Sequence, residues 1–190
     1  MGANAEKPIL LFASTTEWEA FLEANPEHEG VRLQTRKKRS TAPGITYDEA
    51  LESALCFGWI DGQIYGFDDD YSLQVFTPRR PRSVWSQRNV GIVERLIHEG
   101  RMRAAGLAQV ERAKADGRWE AAYRQKGMVV PDDLRAALDA APRAAATFAA
   151  LTAQQRFGIV FRLDGVKRAE TRERKLRGYV EQLERGESPI

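Results

Sequence analysis

Cysteine and histidine are nearly absent from this sequence. One cysteine, Cys56, excludes an internal disulfide and any cysteine-rich metal site. The two histidines, His28 and His98, lie far apart without ligand-like spacing, which argues against a His-based zinc site. Neither a metal site nor a cofactor is expected. Long apolar runs are missing as well. None approaches the roughly 20 residues that span a bilayer, so no membrane insertion is expected. The opening stretch, MGANAEKPILLFAST, has an apolar run too short for a signal peptide and no basic stretch before it. A cytoplasmic location is the expectation. A one-sided charge is also lacking. The 29 basic and 27 acidic residues leave a net charge of +2, little for a dedicated nucleic-acid binder. There is no G-x-S-x-G, Walker loop, H-E-x-x-H or dinucleotide fingerprint.

What is present describes a globular protein. A composition of 43% hydrophobic and 29% charged residues can build a core. The length suits one domain or two closely packed subdomains. Ile9 to Ala13 is a short strand candidate. Ser14 and Glu17 have capping-box spacing, and Trp18, Phe21 and Leu22 repeat as on one helix face. Val31 to Thr35 alternates like a half-buried strand, and the basic run Arg36 to Arg39 follows. Thr46 and Glu49 form a second capping box before a helix over about 47–57, with Gly58 suited to end it. Trp59 to Phe67 and Tyr71 to Thr77 flank Asp68-Asp69-Asp70 and read as a β-hairpin. From Ser86 onward the apolar period becomes helical, through a last helix over about 169–185. The fold class expected is α+β: a β-α-β-α-β-β half with a small sheet over 1–85, packed against a helical region over 86–190.

Chemistry beyond folding concentrates in CFGWIDGQ and TPRRPRSVWS. Pro78 and Pro81 fix φ and stiffen the segment that carries Arg79, Arg80, Arg82 and Arg88. Arginine suits bidentate binding of phosphate or carboxylate. The segment runs into a helix start near Ser86, where free N–H groups favour an anion. Trp85 offers a stacking face. Trp59, Asp61 and Gln63, flanked by Gly58 and Gly62, would let a ligand approach the backbone. Set against this is a purely structural reading. There the arginines pair with Asp61 or the Asp68–Asp70 turn, Trp59 is core, and Cys56 is a buried thiol.

Several runs taken in order carry a resemblance: EWEAF, TYDEALESALCFGWIDGQ, FTPRRPRSVWS, LIHEGRMRAAGLAQVERAKADGRWEAAY and VPDDLRAALDA. Together they resemble the YdeI/OmpD-associated, or bacteriocin-protection, family over about Leu11 to Gly186. The resemblance implies a stress- or antimicrobial-tolerance role and no particular catalytic residue.

The leading expectation is a cytoplasmic tolerance-associated protein that binds a small anionic or planar ligand. The binding residues expected are Trp59, Asp61, Gln63, Arg79, Arg80, Arg82, Trp85 and Arg88. One alternative is an enzyme with Asp61 as acid/base and an arginine stabilising an oxyanion. Another, less favoured, is nucleic-acid binding through the basic runs. The oligomeric state is left open.

Overall fold

The computed structural model describes residues 6–123 and 129–190. The first five residues of the opening stretch read above lie outside the described residues. The chain divides into two compact units, 1–123 and 124–190. The division falls later than the break expected after Trp85, for a packing reason. Trp85, Val93, Leu96, Val110 and Ala113 all join the core that also holds the sheet residues Val31, Leu33 and Phe76.

The first unit carries a four-stranded mixed sheet of order β1-β2-β4-β3. Its strands are β1 (Ile9–Leu10), β2 (Val31–Arg36), β3 (Trp59–Gly66) and β4 (Tyr71–Pro78). β1 runs parallel to β2, and β4 is antiparallel to both β2 and β3. The β3–β4 register shifts between Asp61 and Ile64, a bulge in the edge strand. Val31, Leu33 and Thr35 alternate buried with half-buried neighbours, as the sequence period requires. Trp59 and Phe76 lie on that same buried side, since opposed residues share a face.

Helices α1 (Thr15–Ala24) and α2 (Tyr47–Cys56) complete this layer. Ser14 caps α1 by accepting from the Glu17 N–H at 3.3 Å. The Glu17 carboxylate turns back to the Ala13 N–H, so the reciprocal box is displaced by one residue. At α2 the box of Thr46 and Glu49 closes in both directions. Trp18 is sealed in the core, donates from Nε1 to the Ala50 carbonyl at 3.1 Å, and meets Trp59 edge-on at 6.1 Å. Gly58 follows α2 at φ 78°, a conformation glycine adopts cheaply, and turns the chain into β3.

Helices α3 (Gln87–His98) and α4 (Ala104–Ala115) pack on α2. The α4 crossing is close: a Cβ on Gly106 would stand 2.2 Å from the Cys56 carbonyl oxygen. Beyond α4 the segment around Trp119 forms turns, where the sequence suggested helix.

The second unit comprises α5 (Asp132–Asp139), α6 (Pro142–Ala150), α7 (Ala153–Asp164) and α8 (Ala169–Glu184). Its own core includes Leu134, Ala144, Ile159, Leu163 and Leu183. Thr152 and Gln155 form the capping box of α7. Arg172 of α8 ties Asp133 at 2.6 Å and the Leu163 carbonyl at 2.7 Å. The molecule is thus α+β, with a small N-terminal mixed sheet and helices following it.

Candidate functional site

Arg79 continues the β3–β4 ladder one step past Pro78, its N–H donating to the Gly58 carbonyl at 3.0 Å. The residue is only 6% exposed. Its guanidinium carbon lies 3.5 Å from the Trp85 ring centroid, a stacked cation–π contact. Nη1 donates to the Val84 carbonyl at 3.2 Å. Nε and Nη2 are buried and, among the described residues, have no hydrogen-bond partner. No ion pair among the described residues includes Arg79. Burial lowers its pKa to about 10, with Asp61 opposing the shift and Arg118 adding to it. Arg79 is therefore still a cation at neutral pH.

Arg118 approaches the same loop from the turns after α4. Its Nη1 donates to the Ser83 carbonyl at 2.6 Å, and Nε reaches both oxygens of Asp116 at 2.8 Å. Its Nη2 is a third buried N–H group without a partner among the described residues. Trp85 is buried and meets Trp119 edge-on at 4.8 Å. Two guanidiniums and two tryptophans thus meet at the loop 79–85. The turn at its tip closes on Arg80, whose N–H donates to Ser83 Oγ at 2.9 Å.

The loop leads into α3. Ser86 Oγ caps the helix by accepting from the Asn89 N–H at 3.1 Å. Tyr123 bridges the same entry, donating to the Trp85 carbonyl and accepting from the Gln87 N–H.

A second arrangement centres on Asp61. Its Oδ2 accepts from the Tyr47 hydroxyl at 2.8 Å, and that hydroxyl accepts from Arg88 Nη1 at 2.9 Å. Arg88 Nη2 pairs with Asp48 at 2.9 Å on an exposed surface. Burial, then the Asp61 charge, pushes the Tyr47 phenol up to about 12. Burial and Asp61 also raise the Tyr123 phenol. The Asp61 field therefore reaches Arg79, Arg88, Tyr47 and Tyr123 together.

The sequence-selected residues separate into three groups. Asp61, Arg79, Trp85 and Arg88 are brought to one end of the β3–β4 hairpin. Trp59 is withdrawn into the core, among Trp18, Phe21 and His28. Gln63, Arg80 and Arg82 are exposed, Gln63 accepting from the Tyr65 hydroxyl at 2.7 Å. No ion pair among the described residues links these arginines to Asp61 or to the Asp68–Asp70 turn. Asp68 instead accepts from the N–H groups of Asp70 and Tyr71. Cys56 is buried, and burial raises its thiol to about 11.

Tyr47, Arg118 and Tyr123 were not singled out in the sequence. The turn at Gly58 folds β3 back beside α2, so the first residue of that helix meets a carboxylate fourteen positions on. No periodicity marks such a pair. Among the described residues no group of three acidic, histidine or cysteine side chains could hold a metal ion, and no helix is long and apolar enough to cross a membrane. A cleft of about 470 Å³ lies elsewhere, bordered by Lys7, Glu27, His28 and Gly30.

Two family models match the chain. Residues 127–186 match the family described as bacteriocin-protection, YdeI or OmpD-associated. That stretch is shorter than the resemblance expected from Leu11 to Gly186. The GWIDG and TPRRPRSVWS runs fall instead within residues 10–109, which match a domain of unknown function, DUF8412. No curated protein and no solved structure matches the chain. With just over half of its length covered by that model, including Asp61, Arg79, Trp85 and Arg88, the chain belongs to the DUF8412 family.

Proposed function

We propose that this chain serves stress or antimicrobial tolerance by binding a small oxyanion, planar or tetrahedral, at the Arg79 end of the hairpin. The tolerance role rests on the bacteriocin-protection match over 127–186. The ligand class rests on one observation: Arg79 is a buried cation whose Nε and Nη2 have no partner among the described residues. A buried donor without an acceptor costs about 1–3 kcal/mol. A carboxylate or phosphate oxygen pair would take both N–H groups in the bidentate geometry that guanidinium favours. The neighbouring Arg118 adds a second positive charge and a third unmatched donor. The α3 N-terminus, capped by Ser86, adds its dipole.

These donors are shielded from solvent, so the ligand enters as the loop tip, 80–84, moves away from Arg79. Arg80 and Arg82, exposed on that loop, attract the anion and then close over it. Asp61, already engaged by Tyr47, sits beside the cation and favours a ligand that also carries a hydrogen-bond donor.

Thermal unfolding with inorganic phosphate, citrate or AMP tests this reading. At least one should raise the midpoint with the logarithm of its concentration, corresponding to about 2.7 kcal/mol of added stability at a hundredfold excess over Kd. Arg79→Met should abolish the rise, and Arg80→Ala with Arg82→Ala should weaken it. The proposal is lost if no anion binds, or if binding persists unchanged in Arg79→Met.

A further inference from the structure

We infer that the ligand group at Arg79 is a phosphoryl group, two of its oxygens on the Arg79 fork and a third on Arg118. This rests on the oxyanion binding proposed for the same site. In a guanidinium, Nε–H and one Nη2–H point the same way and make up one edge of the fork. In Arg79 that whole edge is buried and has no partner among the described residues, while Nη1 is spent on the Val84 carbonyl at 3.2 Å. In Arg118, Nε takes Asp116 at 2.8 Å and Nη1 takes the Ser83 carbonyl at 2.6 Å, which leaves the buried Nη2 unmatched among the described residues. The two guanidiniums are therefore anchored on consecutive carbonyls of one loop, and the Arg118 charge bears on Arg79. Together they hold three unmatched donors on two side chains.

The donor count selects the class. A carboxylate offers two oxygens in one plane, and the Arg79 fork uses both. A phosphoryl group offers a third oxygen outside that plane, which an N–H from a second guanidinium can take. Charge agrees. Among the described residues Arg79, Arg80 and Arg82 have no ion pair, and Arg118 pairs with Asp116 alone. A phosphomonoester, with a charge of about −1.5 to −2 at neutral pH, answers more of that excess than a carboxylate does. The tryptophans exclude the planar alternative. Trp85 is 2% exposed, with Arg79 over its ring and Trp119 edge-on against it. Trp119 is 8% exposed, and Lys114 lies 5.4 Å from its ring centroid. Neither indole offers an open face on which a flat ring could stack. The ligand is therefore held by its oxygens alone, beneath a loop tip that closes through the bonds of Arg118 to Ser83 and of Arg79 to Val84.

Titration calorimetry on the intact chain tests the inference with inorganic phosphate, methyl phosphate, dimethyl phosphate and acetate at matched ionic strength. Methyl phosphate keeps three terminal oxygens, whereas dimethyl phosphate and acetate keep two. Inorganic phosphate or methyl phosphate should bind at least about tenfold tighter than either two-oxygen anion, the worth of one hydrogen bond to a charged group. Binding of either supports the inference, and their order tells a free ion from an ester as the source. Arg118→Gln should remove the preference by bringing methyl phosphate to the level of dimethyl phosphate. The wild-type preference is decisive by itself, so the test survives a variant that does not fold. Acetate or dimethyl phosphate binding as tightly as methyl phosphate, with Arg79→Met abolishing both, overturns the phosphoryl inference and leaves oxyanion binding standing. A preference unchanged in folded Arg118→Gln overturns the contact to the third oxygen. No binding by any probe, or binding unchanged in Arg79→Met, overturns both proposals.

Discussion

The Tyr47 hydroxyl donates to Asp61 Oδ2 at 2.8 Å and accepts from Arg88 at 2.9 Å, so one phenol links helix α2, strand β3 and helix α3. Tyr47→Phe keeps the ring and removes both bonds. Hydrogen bonds of this kind contribute about 1–2 kcal/mol, more where a partner is charged. Urea unfolding should show a loss of that size at neutral pH. Tyr47→Trp should not rescue it, because the indole N–H donates and cannot accept from Arg88.

The same phenol fixes a pH dependence. Burial and the Asp61 charge raise its pKa from 10 to about 12 in the folded protein. A raised folded pKa means that the stabilisation is fully present below pH 10 and is lost as pH rises toward 12. Over that window the unfolded state releases its proton first. Ultraviolet titration should show a tyrosine that ionises late, and Tyr47→Phe should remove it. Unfolding free energy should fall less steeply between pH 10 and 12 in the variant than in the wild type.

Arg79→Met separates ligand binding from folding. The methionine retains an apolar stem that can pack on Trp85, while the buried charge and its two unmatched N–H groups disappear. The lost cation–π contact is worth about 1–2 kcal/mol, and the relieved donors offset it. Stability without added anion should therefore stay within about 1 kcal/mol of wild type by urea unfolding. A loss of several kcal/mol would identify Arg79 as a structural clamp.

Much of the fold was legible because it rests on local patterns. The Thr46 box, the glycine after α2 and the alternation of β2 depend on residues within one turn or one strand. The unit boundary was not legible. Val93 and Val110 show helical period alike, whether their helices pack on a sheet or on one another. The residues selected from the sequence differ in accessibility, Arg79 and Trp85 being buried while Arg88 is exposed. TPRRPRSVWS suggested four arginines presented together. The structure turns Arg79 inward onto Trp85 and leaves Arg80 and Arg82 outside, a split set by the strand alternation running out of β4. Tyr47 and Arg118 reach the site only through tertiary contacts.

Cys56 should be inert in the native protein. The thiol is buried, and burial raises its pKa to about 11, so the reactive thiolate is scarce at neutral pH. Its backbone carbonyl is already bonded to the Arg103 N–H at 3.1 Å, which helps fix the residue beneath α4. A disulfide exchange reagent should label the folded chain slowly and label it fully in denaturant. Rapid labelling under native conditions would show that the α2–α4 contact opens readily.

That contact depends on Gly106, and two glycine-to-alanine changes should have opposite signs because of it. A Cβ at Gly106 would meet the Cys56 carbonyl oxygen at 2.2 Å and the Leu55 carbonyl oxygen at 2.8 Å. Both are backbone atoms of the C-terminal turn of α2, so α4 has to move outward to admit a methyl group. Overpacking of this kind costs about 1–3 kcal/mol, and the gain in helix propensity cannot cover it. Gly178 lies inside α8, where a Cβ would meet nothing within 4 Å. There Gly178→Ala should gain about 0.5–1 kcal/mol from reduced chain entropy alone. Urea unfolding of both variants measures the contrast. Gly106→Ala should also speed the labelling of Cys56, because the displaced helix is the one that covers it. Equal effects from the two substitutions would mean that α4 does not approach α2 this closely.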